Sequence, residues 1–283
     1  MIDVALATCR RKPEPDPDEQ PLLAALAARG LRAAAWAWDD PSIDWSGARL
    51  VVLRSTWNYA DRPDAFVAWV AATARATRLC NGADIVRANV HKRYLLALER
   101  AGVAIAPTVL VPRGDAASVA DIAARRGWPS VVVKPAVSAA SRQTARFDDP
   151  ASPAADAHLH RVLATGDALV QRYLPSTETE GERALVWIDG AFTHSVRKAP
   201  RFSGDSESVG DPRPLTDEER ALGDAALAAA PRPLVYARVD VARRPDGQLA
   251  VMELELMEPS LFLREWPAAL DRFADAIARR ARP

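Results

Sequence analysis

Two segments in the last third of the chain, Tyr236-Ala237-Arg238-Val239-Asp240-Val241-Ala242 and Val251-Met252-Glu253-Leu254-Glu255-Leu256, alternate polar and apolar residues on either side of Pro245-Asp246-Gly247. Period-two alternation flanking turn-forming residues predicts an antiparallel hairpin, because successive strand side chains point to opposite faces. Setting Asp240 opposite Glu253 places Val241 against Met252, Val239 against Leu254 and Arg238 against Glu255, with every apolar side chain on one face. The other face carries Arg238, Asp240, Glu253 and Glu255. Asp directly opposite Glu is destabilising unless positive charge lies between them. A divalent cation supplies such charge, and hard carboxylate oxygens select Mg²⁺. A solvated face neutralised by Arg238 satisfies the same spacing, so these residues alone leave both readings open.

The rest of the chain alternates strands and helices. Val4-Ala5-Leu6-Ala7, ending at Thr8, and Leu50-Val51-Val52-Leu53 read as buried parallel strands, with a further strand over 31–37 and helices over 18–29 and 63–76. This is the pattern of a doubly wound α/β unit. Its ligands bind outside the carboxyl ends of the strands, which makes Arg54-Ser55-Thr56 a candidate substrate loop; an ordinary capped turn is the alternative. A second unit starts at Asn89, predicted to cap a helix ending at Arg100. It continues through a strand over 108–111, a helix over 115–126, Val131-Val132-Val133-Lys134-Pro135, a helix over 154–165 and a strand over 168–171. Strands over 184–188 and 192–196 turn at Asp189-Gly190; a mobile-looking stretch spans 201–213, and helices are predicted over 216–229 and 267–281. Three domains follow, 1–86, 87–170 and 171–283, with no internal repeat.

The 283 residues carry no net charge, so nothing in the totals points to nucleic acid or an acidic membrane as partner. No apolar run approaches the ~18 residues of a membrane span. Cys9 and Cys80 lack metal-ligand or disulfide-framework spacing and read as reduced thiols of a cytoplasmic protein. Only four of the 37 basic residues are lysines: Lys12, Lys92, Lys134 and Lys198. Where arginine serves so generally, a retained lysine suits a place needing a compact ammonium. Lys134 ends a buried strand, where phosphate-binding enzymes place a point charge and where a rim residue also snorkels. Lys92 lies in the first turns of its predicted helix, where its charge is slightly unfavourable.

In their order along the chain, these pieces resemble the ATP-grasp superfamily, in particular the branch similar to glutathione synthetase. Asn89-Val90-His91-Lys92 resembles the first nucleotide lysine of that family, and Val131 to Pro135 the second. Leu169-Val170-Gln171-Arg172-Tyr173-Leu174-Pro175 resembles the hinge strand that reads adenine, and the stretch 178–183, with Glu182 preferred, the ribose contact. His194-Ser195-Val196-Arg197-Lys198 resembles a strand bringing cations to phosphate or substrate. Asp240, Glu253 and Glu255 match the metal carboxylates, and Pro259-Ser260 the substrate loop. One segment departs from the family. The lid after the second lysine, Ala136-Val137-Ser138-Ala139-Ala140-Ser141-Arg142-Gln143-Thr144, contains no glycine, so Ser138, Ser141 and Arg142 are expected to donate from side chains instead.

The resemblance implies an N-terminal doubly wound domain, a central lid subdomain and a C-terminal mixed-sheet domain. It implies ATP and two Mg²⁺, with Mn²⁺ as an alternative ion, and it is compatible with a homodimer acting on a small molecule. Phosphoryl transfer to a carboxylate gives an acyl phosphate, which a nitrogen then attacks. Lys92, Lys134, Arg197 and Lys198 provide positive charge and Arg238 faces the oxyanion. Val51 to Tyr59, with Asp16-Pro17-Asp18 before it, resembles a bacterial group related to the cyclo-ligase acting on O-ureido-D-serine in cycloserine biosynthesis. Ring closure is therefore the leading expectation. An intermolecular amino-acid or peptide ligase is the alternative, and a non-catalytic nucleotide-binding module a distant third.

Overall fold

The computed structural model describes residues 1–199, 202 and 208–282. Its N-terminal part is a parallel sheet of β1 (Ile2–Thr8), β2 (Ala33–Ala37), β3 (Ala48–Leu53) and β4 (Arg78–Cys80), in the order β2-β1-β3-β4. The crossovers carry α1 (Glu19–Ala28) and α2 (Pro63–Ala76). Strands covered on both faces need continuous apolar runs, and Val4 to Ala7 and Leu50 to Leu53 are wholly buried.

Two short helices follow, α3 (Ala83–Asn89) and α4 (Tyr94–Arg100). Here the sequence expectation fails. Asn89 closes α3 instead of capping the next helix, and Lys92 lies between the two helices. The Asn89 amide donates from Nδ2 to Leu254 O (2.8 Å) and accepts at Oδ1 from Leu256 N (2.9 Å). Asn81, before α3, bonds in the same way to Tyr236 O and Leu256 O and accepts from Val235 N. Two asparagines thus satisfy backbone groups of the C-terminal hairpin that would otherwise be buried unpaired.

The central sheet comprises β5 (Thr108–Val111), β6 (Val131–Pro135), β7 (Ala145–Phe147) and β8 (Ala168–Arg172), antiparallel in the order β5-β8-β6-β7. Its covering helices are α5 (Val119–Arg126) and α6 (Pro153–Leu163), which bury Val119, Ile122, Leu159 and Val162 against Val131, Val133 and Val170. The first of these starts later than position 115, because Ser118 caps it and Asp156 accepts from Val119 N at 2.7 Å. A boundary at 170/171 would cut β8, which belongs entirely to this sheet.

After the one-turn α7 (Ser176–Thr179) comes a five-stranded antiparallel sheet: β9 (Glu182–Ile188), β10 (Ala191–Lys198), β11 (Val209–Arg213), β12 (Tyr236–Arg243) and β13 (Leu249–Glu255). Their order is β11-β10-β9-β12-β13. The strand β11 corrects part of the mobile stretch expected over 201–213; residues 201 and 203–207 of that stretch lie outside the described residues. Thr216 and Glu219 form a capping box that starts α8 (Asp217–Ala228). The last helix, α9 (Pro267–Ala281), buries Phe273 and Ile277 in one core with Leu22 and Leu26 of α1, Val4 and Leu6 of β1, and Val186 and Ile188 of β9. That shared core joins the first unit to the last. Among the described residues no helix is long and apolar enough to cross a membrane.

The hairpin pairs Asp240 with Glu253, Val239 with Leu254 and Arg238 with Glu255, as the alternation requires. Beyond Asp240 the register shifts: Val241 meets Val251, not Met252. Met252 is the extra residue of a β-bulge, and it leaves the apolar face to line a cavity.

Candidate active site

The cavity lies between the central sheet and the face of the hairpin that bears the carboxylates, and its charged groups come from both. Lys92 Nζ is 3.0 Å from Glu253 Oε2, and Lys134 Nζ is 2.6 Å from Glu253 Oε1. Lys198 sits between Glu182 (2.7 Å) and Asp240 (2.6 Å). Arg238 donates to both oxygens of Asp240 at 2.8 and 2.9 Å and to Glu255 at 2.6 Å. Lys92, Lys134, Lys198 and Arg238 are therefore each paired with carboxylates among Glu182, Asp240, Glu253 and Glu255. The charge needed between Asp240 and Glu253 is supplied by side chains of the protein itself.

These contacts set the protonation states. Burial alone would raise the Asp240 carboxyl, but Arg238 and Lys198 pull it down to about 2. Glu253 is likewise opposed by burial, yet Lys134 and Lys92 hold it well below the usual carboxylate range. Lys92 loses solvation, but Glu253 more than compensates and keeps it firmly cationic. Glu182 goes the other way, since burial outweighs Lys198 and lifts it to about 7.

Strand geometry sorts the remaining expected residues. Gln171, Arg172, Tyr173, Leu174 and Met252 line the cavity, and Gln171 Nε2 donates to Thr108 Oγ1 at 2.8 Å. Lys198 faces the cavity, whereas its neighbour Arg197 points to the other side of β10. There it donates to Glu180 O (2.8 Å) and Thr179 O (3.2 Å). Arg197 is therefore removed from the expected cation set. Ser138 and Ser141 line the lid side; Arg142 does not, because it reaches out to an ion pair with Asp61. The lid without glycine still adopts glycine-like backbone, with φ of 52° at Ala140 and 53° at both Ser141 and Gln143.

The expected substrate loop is corrected more strongly. Arg54, Ser55 and Thr56 are all buried, and none of them lines the cavity. Arg54 Nη1 donates to Pro259 O at 3.0 Å, and the Ser55 hydroxyl bonds to that of Thr8 at 2.9 Å. Residues a few positions further on take their place, since Trp57 and Tyr59 face the cavity together with Met257, Glu258 and Ser260. Glu14 and Phe202 also line it. None of these had a periodic signal. Trp57 and Tyr59 lie in a 3₁₀ turn, and 257–260 is irregular.

Fold and cavity together define an ATP-dependent ligase of the ATP-grasp class. Residues 4–81 match the family described as "D-cycloserine synthetase DcsG, N-terminal domain". The chain is 36% identical over 284 residues to "Cycloserine biosynthesis protein DcsG" of Streptomyces lavendulae, with 95% of each covered. The crystal structure of D-cycloserine synthetase DcsG matches with a TM-score of 0.91 at 34% identity, covering 99% of both chains. D-alanyl-alanine synthetase A from Vibrio cholerae, at 13% identity and a TM-score of 0.68 over 98% of this chain and 97% of that one, shares the fold. The chain belongs to the DcsG family of ATP-grasp ligases.

Proposed function

We propose that this ligase activates the carboxylate of a small, amino-acid-like substrate as an acyl phosphate and closes it onto a nitrogen of the same molecule, as an O-ureido-D-serine cyclo-ligase of antibiotic biosynthesis does. The observation that carries the reading is the convergence of Lys92 and Lys134, from separate parts of the chain, on the single carboxylate of Glu253. Two ammonium groups at one point form a receptor for the phosphates of ATP, whose transfer depends on positioning and charge neutralisation. The name of the cycloserine relative supports the substrate class.

The segment from Gln171 to Leu174, with Met252, takes the adenine, and Glu182 the ribose. Ser138 and Ser141 close over the phosphates. Glu253 and Glu255, with side chains 21% and 24% exposed, present hard oxygens to the cavity and fit a magnesium ion. Asp240, 1% exposed, stands behind them, held at both oxygens by Arg238 and at Oδ2 by Lys198. When bound, magnesium neutralises phosphate charge. Arg238 faces the oxyanion formed when nitrogen attacks the acyl carbon, and Trp57 and Tyr59 help keep water from the acyl phosphate.

Steady-state ADP release with O-ureido-D-serine and with amino acids, singly and in pairs, tests this reading. A cyclo-ligase saturates with one organic substrate plus ATP. Turnover that requires a pair removes ring closure and leaves an intermolecular ligase.

A further inference from the structure

The loop 257–260 has an unusual set of anchors. Its four successive carbonyls each accept from a different side chain. Met257 O lies 2.7 Å from Tyr236 Oη, and Glu258 O accepts from Trp57 Nε1 at 3.0 Å. Pro259 O accepts from Arg54 Nη1 at 3.0 Å and Ser260 O from Arg238 Nη1 at 3.2 Å. Side-chain donors on every carbonyl of an irregular segment hold its backbone in one arrangement, which fixes where its side chains start.

The side chain so positioned is that of Glu258. It lines the cavity, the residue is 7% exposed, and among the described residues no cation lies within ion-pair distance of it. Glu182, Asp240, Glu253 and Glu255 each have at least one. The charges that act on it are Glu255, which disfavours its ionisation, and Lys92 and Arg238, which are already engaged with Glu253 and with Asp240 and Glu255. Burial, reinforced by Glu255, pushes its carboxyl up to about 8. In this setting the ionised carboxylate is disfavoured for want of a counter-charge, and a cation arriving from outside supplies one. Trp57, whose indole N–H bonds Glu258 O, and Tyr59 line the same cavity, and aromatic rings there also favour a cation.

We propose that Glu258 is the receptor for the ammonium group of the substrate, held in place by the four anchored carbonyls of 257–260. The assignment rests on the ligase reading above and adds a direction to it. The reacting carboxylate points toward Arg238 and the lysines, and the ammonium toward Glu258. Selection for an α-amino group then belongs to this residue.

The test is calorimetry on the full chain with a non-hydrolysable ATP analogue and Mg²⁺, comparing O-ureido-D-serine with the same molecule lacking its amino group. Wild type is expected to prefer the amine by about 100-fold. Glu258→Gln, of the same shape, is expected to reduce that preference to within about threefold, with affinity for the ATP analogue unchanged. Glu258→Asp, which keeps the charge, is expected to retain about tenfold. A Gln variant that keeps the wild-type preference, or an Asp variant as indifferent as Gln, overturns the assignment alone. A wild-type protein indifferent to the amino group overturns both the assignment and the amino-acid reading of the substrate.

Discussion

Arg54 and Arg238 are buried almost equally, at 3% and 4% exposure, and their surroundings look alike. Each guanidinium lies over a phenylalanine ring, Phe273 at 5.6 Å and Phe262 at 5.5 Å, and each donates to a carbonyl of the same loop. What differs is the remaining side of the fork. Arg238 engages Asp240 and Glu255, which belong to the cavity floor. The carboxylate partner of Arg54 is Asp18, 3.8 Å away, whose Oδ1 is taken by the backbone N–H groups of Leu263 and Arg264. One arginine lines the cavity and the other holds the wall behind it. Burial and residue type do not separate the two roles; what each fork faces does.

The largest expected effect lies on the cavity side. Glu253→Ala should lower ADP release by at least about 1,000-fold, since a phosphate-neutralising site is worth several kcal/mol in the transition state. It should also destabilise the protein by about 1–3 kcal/mol, because Lys92 and Lys134 lose their shared counter-ion. Relief of repulsion between anions, which the hairpin alone would suggest, is outweighed by this loss. Near-normal ADP release from that variant would remove Glu253 from the site.

Next in size is Lys134→Arg, expected to weaken binding of an ATP analogue about 100-fold, nearly as much as Lys134→Ala, because a planar fork does not replace a point charge against Glu253. Unchanged affinity would make Lys134 a rim residue.

On the wall side, Arg54→Lys should lower stability by about 2 kcal/mol in urea unfolding and leave the KM for ATP unchanged, through loss of the bond to Pro259 O. If stability held and only the KM for the organic substrate rose, Arg54 would be a substrate ligand and the contrast with Arg238 would collapse.

The smallest effects are in pH dependence, and they have opposite signs. Asp240 is depressed from 3.8 to about 2, so its contribution is complete above about 4 and lost as pH falls toward 2. Asp18 is raised by burial to about 6 despite Arg54, so the stability tied to its protonated form is complete below about 4 and lost as pH rises through 6. Urea midpoints between pH 4 and 6.5 should therefore flatten in Asp18→Asn, which keeps an oxygen for Leu263 N. An unchanged slope would show that another group titrates there.

Much of the fold was legible because it is written in local periodicity. Alternation alone paired Asp240 with Glu253 and Arg238 with Glu255, and unbroken apolar runs marked β1 and β3. The bulge at Met252 was not legible, since Val251 and Met252 are both apolar and either can oppose Val241. Arg197 was separable from Lys198 in principle, because neighbours on a strand face opposite sides, but choosing which faces the cavity required the sheet. Asn89 was misread because a helix cap and a bridge to a strand edge use the same amide groups.

The sequence by itself determined which side chains share a strand face and where strands, helices and turns fall, for these depend on residues a few positions apart. Only the tertiary structure decided that Lys92, Lys134 and Glu253 meet, that Arg54 turns to Pro259 while Trp57 and Tyr59 reach the cavity, and that among the described residues Glu258 has no cation within ion-pair distance. Those outcomes depend on how three sheets pack against one another, through contacts between residues as far apart as Arg54 and Pro259, and no local pattern carries that information.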